Sequence, residues 1–409
     1  MELWKYKKLG EVFEINTKSI NPQIIDEELV HYSLPAFDST KLPIIQSSKD
    51  ILSNKTVIDR ETLLVSKLNP RISRIWLVKE IDEHLKSVSS TEFINYISKE
   101  NVNLDFYYQY FKSEIFQEEL LALESGTTGS RKRVTPKDTF KLKLPMPSIQ
   151  EQQKIASILS TVDKQMDQTE QLIVKTKELK KGLMQQLLTK GIGHTEYKQS
   201  ELGEIPIEWE VAKLDSLGKW FSGGTPSKAN KDYWSQEKAI LWVTSTDMHQ
   251  DRISDTELYI SEKGLKAKKL KLLPKETLIF VTRSGILKRR LPIAVAQTEL
   301  TINQDQKAFV CNDNIKPMYI FYIIQAFNKQ MRENYVKTGT TVESVDFDAF
   351  KKQLISLPPL EEQQKIASIL STLDEQIESY EKEKVKYEEL KKGLMQQLLT
   401  GKIRVNVEK

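Results

Sequence analysis

Residues 151 to 161 of this chain recur letter for letter at 362 to 372, and residues 178 to 189 recur at 389 to 400 in the same register, 211 positions further on. Two identities of that length in one register mark an internal duplication, and any fold proposed for the chain has to contain the same pattern twice.

Within the first copy apolar side chains return every three or four positions, at Ile155, Ile158, Leu159, Val162, Met166, Leu172, Ile173, Leu179 and Leu183. The second copy repeats the spacing at Ile366, Ile369, Leu370, Leu373, Ile377, Tyr380, Tyr387, Leu390 and Leu394. This near-heptad stripe predicts a long amphipathic helix in each copy. Pro145, Pro147, Pro358 and Pro359 stand just ahead of the two stripes, where proline ends the preceding element or opens a helix. A continuous helix over the 39 residues from 151 to 189 would be about 58 Å long at about 1.5 Å per residue, a spacer rather than a core helix. Two such helices can bury their stripes against each other as an antiparallel coiled coil. The competing reading is a pair of ordinary bundle helices. Gly182 and Gly393 predict a kink or a close helix crossing near the C-terminal ends, and Thr169 and Thr176 a modest seam.

The stretches between the stripes lack heptads and carry short β-prone runs instead, among them 92–97, 239–244 and 277–282, with helical stretches near 105–123 and 316–334. Weaker similarity links them: Gly126, Thr127 and Thr128 answer Gly339, Thr340 and Thr341; Asp138 and Phe140 answer Asp348 and Phe350; Trp4 and Leu9 answer Trp209 and Leu214. The expected architecture is α+β (mixed α/β), with similar globular units over 1–147 and 191–358 and long helical segments over 148–190 and 359–409. The helices pair antiparallel, and the whole forms a pseudo-two-fold repeat.

Composition narrows the setting. Hydrophobic residues make up 39% and charged residues 29%, a globular rather than disordered balance. The lone cysteine, Cys311, excludes an intramolecular disulfide and any multi-cysteine metal site, and with no long apolar run at the start or elsewhere the expected location is cytoplasmic. A net charge of +4 does not by itself argue for nucleic acid, but the charge is clustered. Ten basic residues and one acid, Glu276, lie between Lys263 and Arg290; six and one, Asp138, lie between Arg131 and Lys143. Such clusters suit a phosphate-facing surface, and equally a solvated charged face.

The candidate contacts lie on five stretches. In the first unit they are Lys67, Asn69 and Arg71 after a β-prone run, then Gly126, Thr127, Thr128, Ser130, Arg131, Lys132 and Arg133. In the second unit Gly223, Gly224, Thr225, Ser227 and Lys228 form a glycine-rich loop whose amides and hydroxyls suit phosphate oxygens, although most such loops are plain turns. Arg283, Ser284, Lys288, Arg289 and Arg290 supply charge and the planar donors suited to guanine or phosphate, with Thr340 and Thr341 beyond them.

No phosphate loop of the form G-x-x-x-x-G-K-[ST] and no Asn-Pro-Pro-aromatic run occurs, and His31, His84, His194 and His249 have no metal-ligand spacing. Catalytic and metal residues are therefore expected to be none, though a nuclease site built from dispersed carboxylates and a lysine stays open.

The layout, together with Pro145 to Gln153, Leu357 to Gln364, the opening Leu202 to Pro206 with Trp209, Gly223 to Pro226, and Gln304 to Ala308, resembles the DNA-specificity subunits of type I restriction–modification systems over the whole chain. The resemblance implies that each variable unit is a target recognition domain reading one half of a split double-stranded DNA target. The helices would set the separation and dock two methyltransferase subunits, which restriction/translocase subunits join. S-adenosylmethionine, ATP and Mg2+ would be bound by those partners, and this chain would hold no cofactor and catalyse nothing. Two other readings stay open: a specificity subunit of a type II system with a fused methyltransferase–nuclease partner, and a coiled-coil interaction protein that binds no DNA.

Overall fold

The computed structural model describes residues 4–81, 84–125, 132–235, 237, 239–339 and 342–406. The chain forms two compact units, residues 1–170 with 382–409 and residues 171–381. One long helix runs Ile149–Lys190 and the other Leu360–Leu398, so each unit holds the beginning of one helix and the end of the other.

The first unit is built around an antiparallel sheet in the order Phe13–Ile15, Phe93–Ser98, Thr62–Ser66, Ile75–Val78. Side chains alternate along a strand, so the central strand Thr62–Ser66 serves two cores at once. Leu63 and Val65 join the core under the helices, while Leu64 joins Trp76, Val78 and Phe93 on the other face. With both faces covered, the strand reads as a continuous apolar run rather than an alternating one. A second, five-stranded sheet contains one parallel pair, Glu28–Tyr32 beside Lys86–Ser90. The helical stretch expected near 105–123 is two helices, Leu104–Lys112 and Glu114–Ala122, because Ser113 ends the first and its hydroxyl caps the second at the Phe116 amide.

The second unit repeats this plan. Its sheet runs Gly218–Ser222, Gln306–Cys311, Leu278–Val281, Ile293–Ala296, antiparallel throughout, with Arg252–Ile253 added parallel at the edge. Leu278 and Phe280 face the helix-side core and Ile279 and Val281 the opposite one, as Leu63, Val65 and Leu64 do in the first unit. The parallel pair recurs as Ile240–Val243 beside Leu300–Ile302. The helical stretch after the sheet is again split, into Pro317–Ala326 and Asn328–Tyr335.

Each unit closes on its two pieces of long helix. In the first, Ile155, Ala156 and Leu159 share a core with Leu398 and Leu399; in the second, Ile366, Ala367 and Leu370 share one with Leu187 and Leu188. The pieces run antiparallel. Asp163 pairs with Lys391 and Glu170 with Lys384 in the first unit, and Lys177 pairs with Glu381 at 2.7 Å and Lys180 with Asp374 at 2.5 Å in the second. Asp163–Lys391 and Asp374–Lys180 are the same pair, seen once in each copy of the repeat. Two expectations need correcting. Leu172, Leu179, Ile369 and Leu390 are exposed rather than in the seam, whereas Val162, Thr169, Ile173, Leu373 and Ile377 along the same stripes are buried. Gly182 and Gly393 mark neither a kink nor a close crossing: the helices continue through both, and a Cβ at either would have open space around it.

Candidate nucleic-acid interface

The basic loops of the two units are held by one set of backbone bonds, made twice. In the first unit the Lys67 amide donates to the Glu92 carbonyl (2.9 Å), the Val134 amide to the Lys67 carbonyl (3.0 Å) and the Asn69 amide to the Lys132 carbonyl (2.8 Å). In the second the Thr282 amide donates to Asp305 (2.9 Å), the Val345 amide to Thr282 (2.8 Å) and the Ser284 amide to Glu343 (3.2 Å). Bridges between Leu68 and Arg133 and between Arg283 and Ser344 complete the match. Thus Lys67, Asn69 and Arg71 lie beside Lys132 and Arg133, though some 60 residues of chain separate them. Asn69 takes the left-handed conformation (φ 49°) that turns the loop back, a place asparagine tolerates better than most residues.

Ion pairs divide the cations of these loops. Arg133 forms a two-pronged pair with Glu92 (3.0 and 3.1 Å), which holds its guanidinium in the charged form, and Lys132 and Arg71 share Glu124 at 2.9 and 3.5 Å. In the second unit Lys288 lies 3.6 Å from Glu343. Arg290 donates to the Met248 carbonyl at 2.7 Å and so ties its own loop down. Arg283 and Arg289 are exposed, and their guanidinium groups have no partner among the described residues; Lys67 and Lys228 likewise keep their ammonium groups unpaired there.

The glycine-rich loop has a packing reason first. A Cβ on Gly223 would sit 2.0 Å from the Ile302 carbonyl oxygen, so only glycine lets the chain pass there. The Gly224 amide donates to Ile302 (3.0 Å) and its carbonyl accepts the Trp242 indole (2.9 Å). The expectation that this amide is available to phosphate is thereby corrected. Ser227 gives its carbonyl to the Trp234 indole at 3.2 Å, and Lys228 is exposed. Thr225 bonds through its hydroxyl to Gln304, whose neighbour Asp305 holds Thr282 and Arg283, so the glycine loop and the arginine loop meet at one turn. Gly126, Thr127, Thr128, Ser130, Arg131, Thr340 and Thr341 lie outside the described residues. Among the described residues no group of three or more His, Cys, Asp or Glu could hold a metal ion, and no helix is long and apolar enough to cross a membrane.

Away from the loops each unit has a groove against the end of a long helix. One, of 610 Å³, is lined by Lys112, Glu114, Glu118, Met166 and Met395 with Lys391, Lys392, Gln396 and Thr400. The other, of 560 Å³, is lined by Gln325 and Phe327 with Lys180, Lys181, Met184, Gln185 and Thr189. The helix residues are the same residues of the repeat: Lys180, Lys181, Met184, Gln185 and Thr189 correspond to Lys391, Lys392, Met395, Gln396 and Thr400.

Two α+β units with one plan, each carrying a basic loop cluster on one sheet and a matching helix groove, define a duplicated recognition protein. The chain belongs to the family of type I restriction modification DNA specificity domains, which matches it over residues 1–178 and again over 206–388. It is 30% identical over 248 residues to the specificity subunit of a type I restriction enzyme from Escherichia coli, a stretch covering 60% of this chain and 59% of that relative. It is 27% identical, over 99% of its own length and 94% of the relative's, to the specificity subunit of the type I restriction enzyme MjaVIII from Methanocaldococcus jannaschii. The fold matches the S subunit of a type I restriction–modification system from M. genitalium with a TM-score of 0.63 at 14% identity, covering 99% of this chain and 97% of that one.

Proposed function

We propose that this chain is the non-catalytic recognition component of a type I restriction–modification complex, in which each unit reads one half of a split double-stranded DNA target. The observation that carries the reading is the doubled loop architecture: Lys67 with Lys132 and Arg133 in one unit, and Arg283 with Ser344 in the other, fixed by the same backbone bonds. A shared scaffold with different side chains is what two readers of different half-sites require, since phosphate contacts position a protein and base contacts specify the sequence. On this reading Lys67, Arg283, Arg289 and Lys228 meet DNA with no ion-pair partner among the described residues, Arg71, Lys132 and Lys288 meet it while paired to Glu124 or Glu343, and Asn69, Ser284, Ser227 and Thr225 stand beside them. Gly126, Thr127, Thr128, Ser130, Arg131, Thr340 and Thr341 are proposed as further contacts on the sequence alone.

The two helix-end grooves support the second part of the proposal, that two copies of one methyltransferase subunit dock here. A single partner binding twice needs the same surface twice, and five groove residues recur unchanged between the copies. Restriction/translocase subunits would join that core. The partners would supply S-adenosylmethionine, ATP and Mg2+ chemistry, leaving this chain to orient the complex on DNA. The test is methylation-sensitive sequencing of the host genome with and without this gene. A bipartite methylated motif that vanishes with the gene is the expected result; a methylome unchanged by its loss would overturn the reading.

A further inference from the structure

A buried acid lies beneath the basic loop of each unit. In the first, the Glu124 side chain, 9% exposed, takes the Lys132 ammonium at 2.9 Å and the Arg71 guanidinium at 3.5 Å. In the second, Glu343, 8% exposed, lies 3.6 Å from the Lys288 ammonium. The acids do not occupy equivalent positions. Glu124 pairs across its hairpin with Val134, as Val336 pairs with Val345, so Glu124 stands where the second unit has Val336. Glu343, whose carbonyl holds the Ser284 amide, stands where the first unit has Lys132, whose carbonyl holds Asn69. One hairpin thus carries its carboxylate on one arm in the first unit and on the other arm in the second. In both, one carboxylate oxygen, Glu124 Oε1 or Glu343 Oε2, is shielded from solvent and has no hydrogen-bond partner among the described residues.

A carboxylate at this place has two physical costs. Burying it is unfavourable unless it is well paired, and a negative charge beside the phosphate backbone opposes binding to any DNA. A surface that needed only attraction would hold its cations without it. What the acid adds is direction: Lys132 and Arg71 are flexible side chains on different loops, and a common anchor fixes where their donors point. We propose that Glu124 and Glu343 are specificity-determining positioning residues, one per unit, that aim the neighbouring cations without touching DNA and at the expense of general affinity. The inference rests on the DNA-reading function proposed above.

The test uses the complex of the full chain with its methyltransferase partner, and three duplexes: one with the mapped target, one with a single half-site altered, and one of scrambled sequence. For Glu124→Gln, binding to the scrambled duplex is expected to rise severalfold, with a log–log salt dependence steeper by about one ion. Discrimination at the half-site read by the first unit is expected to fall about tenfold, the worth of one well-made base contact, and the other half-site should be unaffected. Glu343→Gln should do the reverse. Glu124→Asp keeps the charge but retracts the anchor by one methylene; it should lower discrimination at the first half-site and leave scrambled-duplex binding unchanged, and it carries the test if the amide variant does not fold. Discrimination within twofold of the parent in the folded variants, or equal loss at both half-sites, would overturn the proposal. Failure of the parent complex to prefer the target duplex would instead overturn the DNA-reading function itself.

Discussion

The Trp209 indole donates to the Glu362 carboxylate at 2.9 Å, tying the start of the second unit's variable region to the first turn of the helix Leu360–Leu398. Glu362 also accepts the Ile192 amide at 2.8 Å and lies 2.9 Å from the His194 ring. Trp4 repeats the contact on Glu151 at 3.1 Å, where Arg404 adds a two-pronged pair. Removing a donor to a charged group costs about 1.5 to 3 kcal/mol. Trp209→Phe should lower stability by at least that much in urea unfolding, because Trp209 is also wholly buried. Glu362→Gln, which keeps the core volume, should reproduce most of the loss. Trp4→Phe should cost less, since Trp4 is only partly buried and Arg404 keeps a two-pronged charged partner on Glu151. Equal losses at the two tryptophans would count against this account.

His31 gives the first unit an acid-sensitive term. It is buried in the strand Glu28–Tyr32, its Nε2 has no hydrogen-bond partner among the described residues, and burial, with nearby Lys55 adding to it, lowers its pKa to about 4. In the unfolded chain the ring takes up its proton near pH 6.5. The unfolded state therefore binds more protons between those values, and stability is complete above about pH 6.5 and falls as the pH drops toward 4, by about 2 to 3 kcal/mol in all. Unfolding measured across that window should show this slope. In His31→Gln it should flatten; an unchanged slope would assign the effect to other groups.

The partners of the arginines separate their roles. Arg283→Ala and Arg289→Ala remove exposed guanidinium groups that have no partner among the described residues and should leave thermal stability within about 0.5 kcal/mol of the parent. Each should weaken DNA binding, by about 1 to 3 kcal/mol at one target position if it reads a base, or uniformly, with a shallower salt dependence, if it meets phosphate. Arg290→Ala should instead lower stability by about 1 kcal/mol, through loss of its bond to the Met248 carbonyl. If Arg290→Ala weakens binding while leaving the melting temperature untouched, the roles are reversed.

Periodicity made three of the four long-helix ends legible to within one residue, because a stripe repeated over many turns averages out local exceptions; the fourth was overstated, since the segment expected over 359–409 is helical only to Leu398 and the left-handed Gly401 (φ 70°) follows. It overstated the seam: Leu179 and Leu390 are on the heptad in sequence yet half-exposed, since spacing reports which face a residue is on and not whether anything covers it. The central strands were legible for the same reason of continuity, being buried on both faces. The loop scaffold was not. Nothing local links Lys67 to Val134 or Thr282 to Val345, and the backbone pairing places Phe140 opposite Gly10 as Lys351 is opposite Asp215, one residue away from the Phe140 to Phe350 match that the letters suggest. Glu124 and Glu343 gave no signal, because an acid in a charged segment looks solvated until its burial is known.

If the chain reads a split site as proposed, the helices would also bear on target spacing, since such a site would require units held at a set distance and rotation. The division between the units falls at Glu170 and Gln171 on one helix and at Glu381 and Lys382 on the other. On either side the ion pairs fix the register: Asp163–Lys391 and Glu170–Lys384 in the first unit, Lys177–Glu381 and Lys180–Asp374 in the second. Four residues inserted between Lys175 and Glu178 would add about 6 Å of rise and about 40° of rotation to the first helix. Both sets of ion pairs survive only if the second helix grows by the same amount between Glu381 and Lys384. The doubly extended chain should therefore fold as well as the parent, while insertion in one helix alone should destabilise it. The added rise is close to two base-pair steps of about 3.4 Å, so the methylated motif should keep both half-site sequences and widen its gap by one or two base pairs. Genome-wide mapping of methylation in a strain carrying the doubly extended chain reads the gap directly. Methylation at the original spacing would mean that the helices join the units without setting the distance at which they read.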